Sequence, residues 1–143
     1  MSKVAIVYWS GTGNTEQMAQ QVQAGAESAG AEAVLLSSAE FSADKMDEFA
    51  AVAFGCPSMG TEQLEESEFD PMFQDCRAKL AGKKIGLFGS YGWGDGQWMR
   101  DWCERVKEDG AVLFSEEGLI CNETPDDDVQ AACRKLGADL AAW

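Results

Sequence analysis

Apolar residues fall along this chain in two alternating patterns. Short runs of consecutive apolar residues occur at Val4–Tyr8, Glu32–Leu36, Ala51–Gly55 and Ile85–Gly89, with a longer final stretch from Val112 to Cys121. Runs of this kind suit strands covered on both faces of a parallel sheet. The final stretch is interrupted by Ser115-Glu116-Glu117-Gly118 and is expected to be a bent or bulged edge strand. Between the runs, apolar positions recur at helical spacing. Asn14–Ala29 carries Met18, Val22 and Ala26, with Gly30 as its stop, and Ser67–Leu80 carries Phe69, Met72, Phe73, Cys76 and Leu80. Gln97–Asp109 carries Trp98, Trp102 and Val106, while Pro125–Ala142 carries Val129, Ala132, Cys133, Leu136 and Leu140. Pro125 is expected in the first turn of that last helix. Regular strand–helix alternation predicts one doubly wound α/β domain spanning residues 1–143.

Composition narrows the function. The chain has 143 residues, 25 acidic and 11 basic, for a formal net charge of -14. That balance disfavours nucleic acid and suits partners with basic faces. Histidine is absent, which removes imidazole chemistry and histidine metal ligation. The five cysteines are scattered, with no CxxC pair, so neither a disulfide framework nor a zinc site is expected. No apolar run approaches the roughly 18 residues that span a bilayer. A reducing cytoplasm is the expected location.

In doubly wound sheets, ligands bind beyond the carboxyl ends of the strands. Three loops stand there. The first, Ser10-Gly11-Thr12-Gly13-Asn14-Thr15, places hydroxyls and glycines where a strand turns into a helix, which is a seat for a phosphate. It lacks the lysine of a P-loop and the third glycine of a dinucleotide fingerprint. No Lys or Arg occurs from Val4 to Asp44. A lone phosphomonoester fits such a loop better than a triphosphate does. The second loop, Pro57-Ser58-Met59-Gly60-Thr61-Glu62, offers an adaptable backbone, a Met for an aromatic ring and a carboxylate for a ring N–H. The third, Ser90-Tyr91-Gly92-Trp93-Gly94-Asp95-Gly96, sets two aromatics among three glycines. Together they suit a flat aromatic ring on a phosphorylated stem, and flavin mononucleotide (FMN) fits best.

These loops also carry a resemblance. The segments Val7-Tyr8-Trp9-Ser10-Gly11-Thr12-Gly13-Asn14-Thr15-Glu16, Gly55-Cys56-Pro57-Ser58-Met59-Gly60 and Leu87-Phe88-Gly89-Ser90-Tyr91-Gly92-Trp93-Gly94 closely resemble the flavodoxins, in particular the short-chain type of anaerobic bacteria. The resemblance implies a flavodoxin-like five-stranded parallel sheet in the order 2-1-3-4-5, with helices on both faces. It implies one non-covalent FMN. Ser10 to Thr15 would bind its phosphate, bordered by Trp9. Pro57 to Glu62 would form the loop on the inner ring face, near N5 and N3. Trp93 would stack on the outer face, with Ser90, Tyr91, Gly92 and Gly94 holding that loop, and Asn122 would approach from the end of the last strand.

The implied function is low-potential single-electron transfer rather than substrate turnover. In the family, a carbonyl of the second loop (here that of Gly60) turns to accept the semiquinone N5–H. Thr61 stands where Asp, Asn or Gly is frequent, and a β-branched residue there is expected to bias the loop toward the turned form. Glu62, Glu65, Glu66, Glu68 and Asp70 form a run with no cation until Arg77. Five unit charges about 10 Å away would oppose an anionic hydroquinone by about 2 kcal/mol. Implied partners are ferredoxin- or flavodoxin-dependent oxidoreductases, docked transiently through charge, with neither nucleic acid nor membrane involved and the chain a monomer. The competing reading is an FMN-dependent NAD(P)H or quinone reductase of the same fold.

Overall fold

The computed structural model describes residues 3–11, 13–59, 63–92 and 94–143. The strands are β1 (Lys3–Tyr8), β2 (Glu32–Ser37), β3 (Ala51–Gly55), β4 (Lys84–Tyr91), β5 (Val112–Leu113) and β6 (Leu119–Asn122). The helices are α1 (Asn14–Ser28), α2 (Phe69–Cys76), α3 (Gln97–Glu108) and α4 (Asp127–Ala142), with short 3-10 turns at Ser38–Glu40, Ala43–Glu48, Arg77–Lys79 and Phe114–Glu116. Among the described residues all pairings between these strands are parallel and the order is β2-β1-β3-β4-β5, with β6 also on β4. The expected order 2-1-3-4-5 therefore holds.

The fifth position is filled differently from one bent strand. Val112 and Leu113 pair with Lys84 and Ile85, and Leu119 to Asn122 pair with Phe88 to Tyr91. Residues 86–87 of β4 thus face residues 114–118 of the edge, an excess of three that must loop out. The polar Ser115 takes φ 64 within that excursion. Pro125 also departs from expectation. It precedes the cap, because Asp126 accepts the Val129 N–H at 2.9 Å and so α4 starts at Asp127, two residues later than expected.

Alternate strand residues point to opposite faces and build two cores. Ala5, Val7, Val52, Phe54, Ile85 and Leu87 pack with Phe69 and Phe73 of α2 and with Trp98 and Trp102 of α3. Val4, Ile6, Ala51, Ala53 and Phe88 pack with Met18, Val22 and Ala26 of α1 and with Cys133, Leu136 and Leu140 of α4. On this second face α1 and α4 meet backbone to backbone. A Cβ on Gly25 would lie 1.9 Å from the Arg134 carbonyl oxygen, and one on Gly137 would lie 1.9 Å from that of Val22. The contact fixes the depth of α1 on the sheet, and with it the place of its N-terminus.

Candidate cofactor site

The chain leaves β1 toward β2 on one side and β3 on the other, so a crevice opens beyond the carboxyl ends of β1 and β3. The first loop lies there. Trp9 N–H donates to the Gly55 carbonyl at 3.0 Å, and Gly13 N–H donates to Ser10 Oγ at 3.1 Å. Gly13 has φ 97, a conformation that disfavours any side chain, and it is the N-cap of α1. It therefore supplies no side-chain cap, and the first-turn N–H groups of α1 keep their donor capacity for an anion. Tyr8 donates its phenol to Glu16 Oε2 at 3.0 Å, clamping the strand end to the helix start. Burial and the Glu16 carboxylate both raise the Tyr8 pKa, which keeps the phenol a donor.

The three loops are tied to one another. Thr15 is buried, its hydroxyl 3.1 Å from that of Ser90, and it accepts the Ser90 N–H at 3.3 Å. Ser58 N–H donates to the Ser90 carbonyl at 3.0 Å. Met59 and Gln63 exchange N–H···O bonds at 2.8 and 2.9 Å, closing the second loop at its base. Buried Trp98 of α3 donates its indole N–H to the Cys56 carbonyl at 3.2 Å, and its ring lies 5.5 Å from that of Tyr91. The result is a cavity of about 440 Å³, lined by Trp9, Gly11, Asn14, Pro57, Ser58, Met59, Ser90, Tyr91, Gly92, Glu123 and Thr124. Its size falls among small-molecule and cofactor pockets, about 300–1,000 Å³.

Nine of the expected site residues line this cavity. Ser10 and Gly13 shape the first loop behind it, and the Thr15 hydroxyl is engaged with Ser90. Gly94, with φ 85, is exposed in the third loop. Asn122 is exposed and does not line the cavity, its side chain donating to the Tyr91 carbonyl at 3.3 Å. Thr12, Gly60, Thr61, Glu62 and Trp93 lie outside the described residues.

Two lining residues were not expected. Glu123 sits at φ 59 and donates its N–H to the Tyr91 carbonyl at 2.7 Å, while Thr124 donates its hydroxyl to Asn14 Oδ1 at 3.3 Å. The polar run Asn122-Glu123-Thr124, at a strand end before a capped helix, was their signal in the sequence.

The acidic run is less uniform than its composition suggests. Asp70 pairs with Arg105 of α3 at 2.9 Å, so a cation 35 residues away compensates it. Glu66 accepts from the Gln63 side chain. Glu65 is buried and accepts three backbone N–H groups at the start of α2. The expectation of five like charges acting through water therefore fails for Asp70 and Glu65. Cys56 is fully buried, and burial pushes its thiol pKa up, so it is an inert neighbour of the second loop.

The donor set suits FMN. The start of α1 carries no side-chain cap, and its Asn14 lines the cavity together with apolar Trp9, Pro57, Met59 and Tyr91. The family model for flavodoxin matches residues 6–136. A flavodoxin of Megasphaera elsdenii is 46% identical over 141 residues, covering 96% of this chain and 98% of its own. One of Clostridium beijerinckii is 41% identical over 136 residues, covering 95% and 97%. The solution structure of two-electron reduced Megasphaera elsdenii flavodoxin matches with a TM-score of 0.86 at 41% identity, covering 98% of this chain and 99% of that one. These likenesses do not favour the reductase reading. The chain belongs to the flavodoxin family, whose members carry electrons on bound FMN rather than turning over a substrate.

Proposed function

We propose that the chain is a single FMN-binding domain, residues 1–143, that transfers single electrons at low potential in the cytoplasm, as a monomer. The observation that carries this reading is the convergence of three strand-end loops, mutually hydrogen-bonded, on one cavity beside the uncapped start of α1. When bound, FMN supplies the redox chemistry. The chain's residues bind, orient and tune it.

The N–H groups of the first turn of α1, with the side chains of Ser10, Thr12 and Asn14, would hold the phosphate, and Thr15 aligns that turn with Ser90. Trp9 borders the phosphate loop. When FMN is bound, Pro57 to Glu62 would hold one face of its ring and Trp93 the other, with Tyr91, Gly92 and Gly94 in the loop that bears Trp93. Asn122 acts through the Tyr91 carbonyl. Glu123 places an acid at the rim. With net charge -14, encounters with basic faces of ferredoxin- or flavodoxin-dependent oxidoreductases are steered by charge and short-lived.

Fluorescence titration of the apoprotein with FMN and with riboflavin tests the phosphate seat. Two or more charge-assisted bonds to the phosphate, each about 1.5–3 kcal/mol, predict FMN binding at least about a hundred-fold tighter than riboflavin. Equal affinity would refute the seat.

A further inference from the structure

A fourth segment closes the cavity, and it reaches the start of α1. Residues 122–124 lie at the end of β6 and just beyond it, and Glu123 and Thr124 both line the cavity. The segment is held from both sides. The Glu123 N–H and the Asn122 side chain donate to the Tyr91 carbonyl, at 2.7 and 3.3 Å. On the other side Pro125 is buried, its carbonyl accepts the Gln130 side chain at 3.2 Å, and Asp126 caps α4. The helix α4 is in turn fixed to α1 by the close contacts at Gly25 and Gly137, and by the Arg134 guanidinium, which donates to Gln21 Oε1 at 2.6 Å. Thr124 is therefore carried to a set place beside the start of α1, although 110 residues separate it from Asn14.

There the Thr124 hydroxyl donates to Asn14 Oδ1 at 3.3 Å. Asn14 is the first residue of α1 and also lines the cavity. Its side chain is an amide with two unlike ends, a carbonyl that accepts and an NH2 that donates. Toward an anion one end attracts and the other repels. A lysine has no wrong end, but no Lys or Arg occurs from Val4 to Asp44, so a neutral donor has to be aimed. A hydroxyl that takes up the carbonyl end leaves the NH2 end for the anion. Among the described residues the Asn14 side chain has no other hydrogen-bond partner.

We propose that Thr124 is a positioning residue for the phosphate seat: its hydroxyl turns the Asn14 amide so that the NH2 end faces the phosphate of FMN. This rests on the FMN reading of the cavity. A segment distant in sequence from the three cofactor loops thereby contributes to the choice of a phosphorylated flavin over an unphosphorylated one. Thr124 acts through Asn14 and not on the phosphate itself. An exposed bond of 3.3 Å is long for a hydroxyl donor, so its effect is a few-fold share of the seat rather than the whole of it.

Apoprotein affinities for FMN and for riboflavin separate this role from a structural one, because riboflavin carries no phosphate. Thr124→Val keeps the shape without the donor, and valine suits the extended backbone that Pro125 imposes on the residue before it. It should weaken FMN binding about fivefold and leave riboflavin binding unchanged. Thr124→Ser keeps the hydroxyl and should bring FMN affinity back to within about twofold of the wild type. In an Asn14→Ala background, Thr124→Val should have no further effect on FMN. Four results would each overturn the positioning role: unchanged FMN affinity in Thr124→Val, equal weakening of FMN and riboflavin, no recovery with serine, or a full loss that persists without the Asn14 amide. The wild type is measured first. Equal affinity for FMN and riboflavin there would remove the phosphate seat itself, a failure visible before any variant is compared.

Discussion

Glu65 shows how one residue's role depends on contacts that its neighbours in sequence do not reveal. Burial alone would raise its pKa, but the N–H groups of Phe69, Glu68 and Ser67 outweigh that and hold it below the ordinary 4.5. A carboxylate with a lowered folded-state pKa contributes stability above its unfolded pKa and loses it as pH falls through the folded value. The stability gap between the wild type and Glu65→Gln, measured by urea unfolding of the apoprotein, should be about 1–3 kcal/mol at neutral pH. It should close as pH drops below 4.5. A gap that widens on acidification would contradict the assignment. At this scale the sequence was legible where side-chain chemistry is local. The Ser/Thr/Gly loop after β1 announced a phosphate seat, and nine of its residues and their partners in the other loops line one cavity. It was not legible where partners are distant. Nothing near Asp70 points to Arg105, and nothing in a run of five acids singles out the one that caps α2. Glu123 was hidden because its role rests on a backbone turn, φ 59, that its residue type does not favour.

At the scale of elements, hydrophobic period placed four helices and the first four strands to within a few residues. The ends it missed were decided by hydrogen bonds rather than by apolar spacing. Asp126 starts α4 beyond Pro125, and Glu65 starts α2 at Phe69 rather than Ser67. The edge strand was legible as irregular but not as divided, because the mismatch of residues 86–87 against 114–118 appears only once both pairings are known. The contact of α1 with α4 was likewise silent in the sequence, since a glycine within a helix does not name what it touches. It has a functional consequence: the phosphate seat is the far end of α1. Gly137→Ala places a Cβ 1.9 Å from the Val22 carbonyl and 2.8 Å from the Ala26 nitrogen, so the helices must separate. Overpacking of this kind costs about 1–3 kcal/mol. We expect Gly137→Ala to lower the urea midpoint of the apoprotein and to weaken FMN binding, although Gly137 does not line the cavity. Unchanged FMN affinity in the folded variant would mean that α1 keeps its seat by other contacts.

For the whole molecule, the doubly wound sheet does two things at once. It buries an apolar core on each face, and it gathers three loops that are distant in sequence at one edge. Trp98 links the two tasks, since the same ring fills the core and holds the second loop by its indole N–H. Among the described residues no helix is long and apolar enough to cross a membrane. The formal net charge of -14 makes the chain's encounters with charged surfaces sensitive to salt. The most direct test is an anaerobic reductive titration of the FMN-loaded protein followed by absorption. Two separate one-electron steps are expected, with a spectrum at the halfway point that is no mixture of the oxidised and fully reduced forms. A single two-electron bleach without such a spectrum would contradict the assignment of this chain as a one-electron carrier.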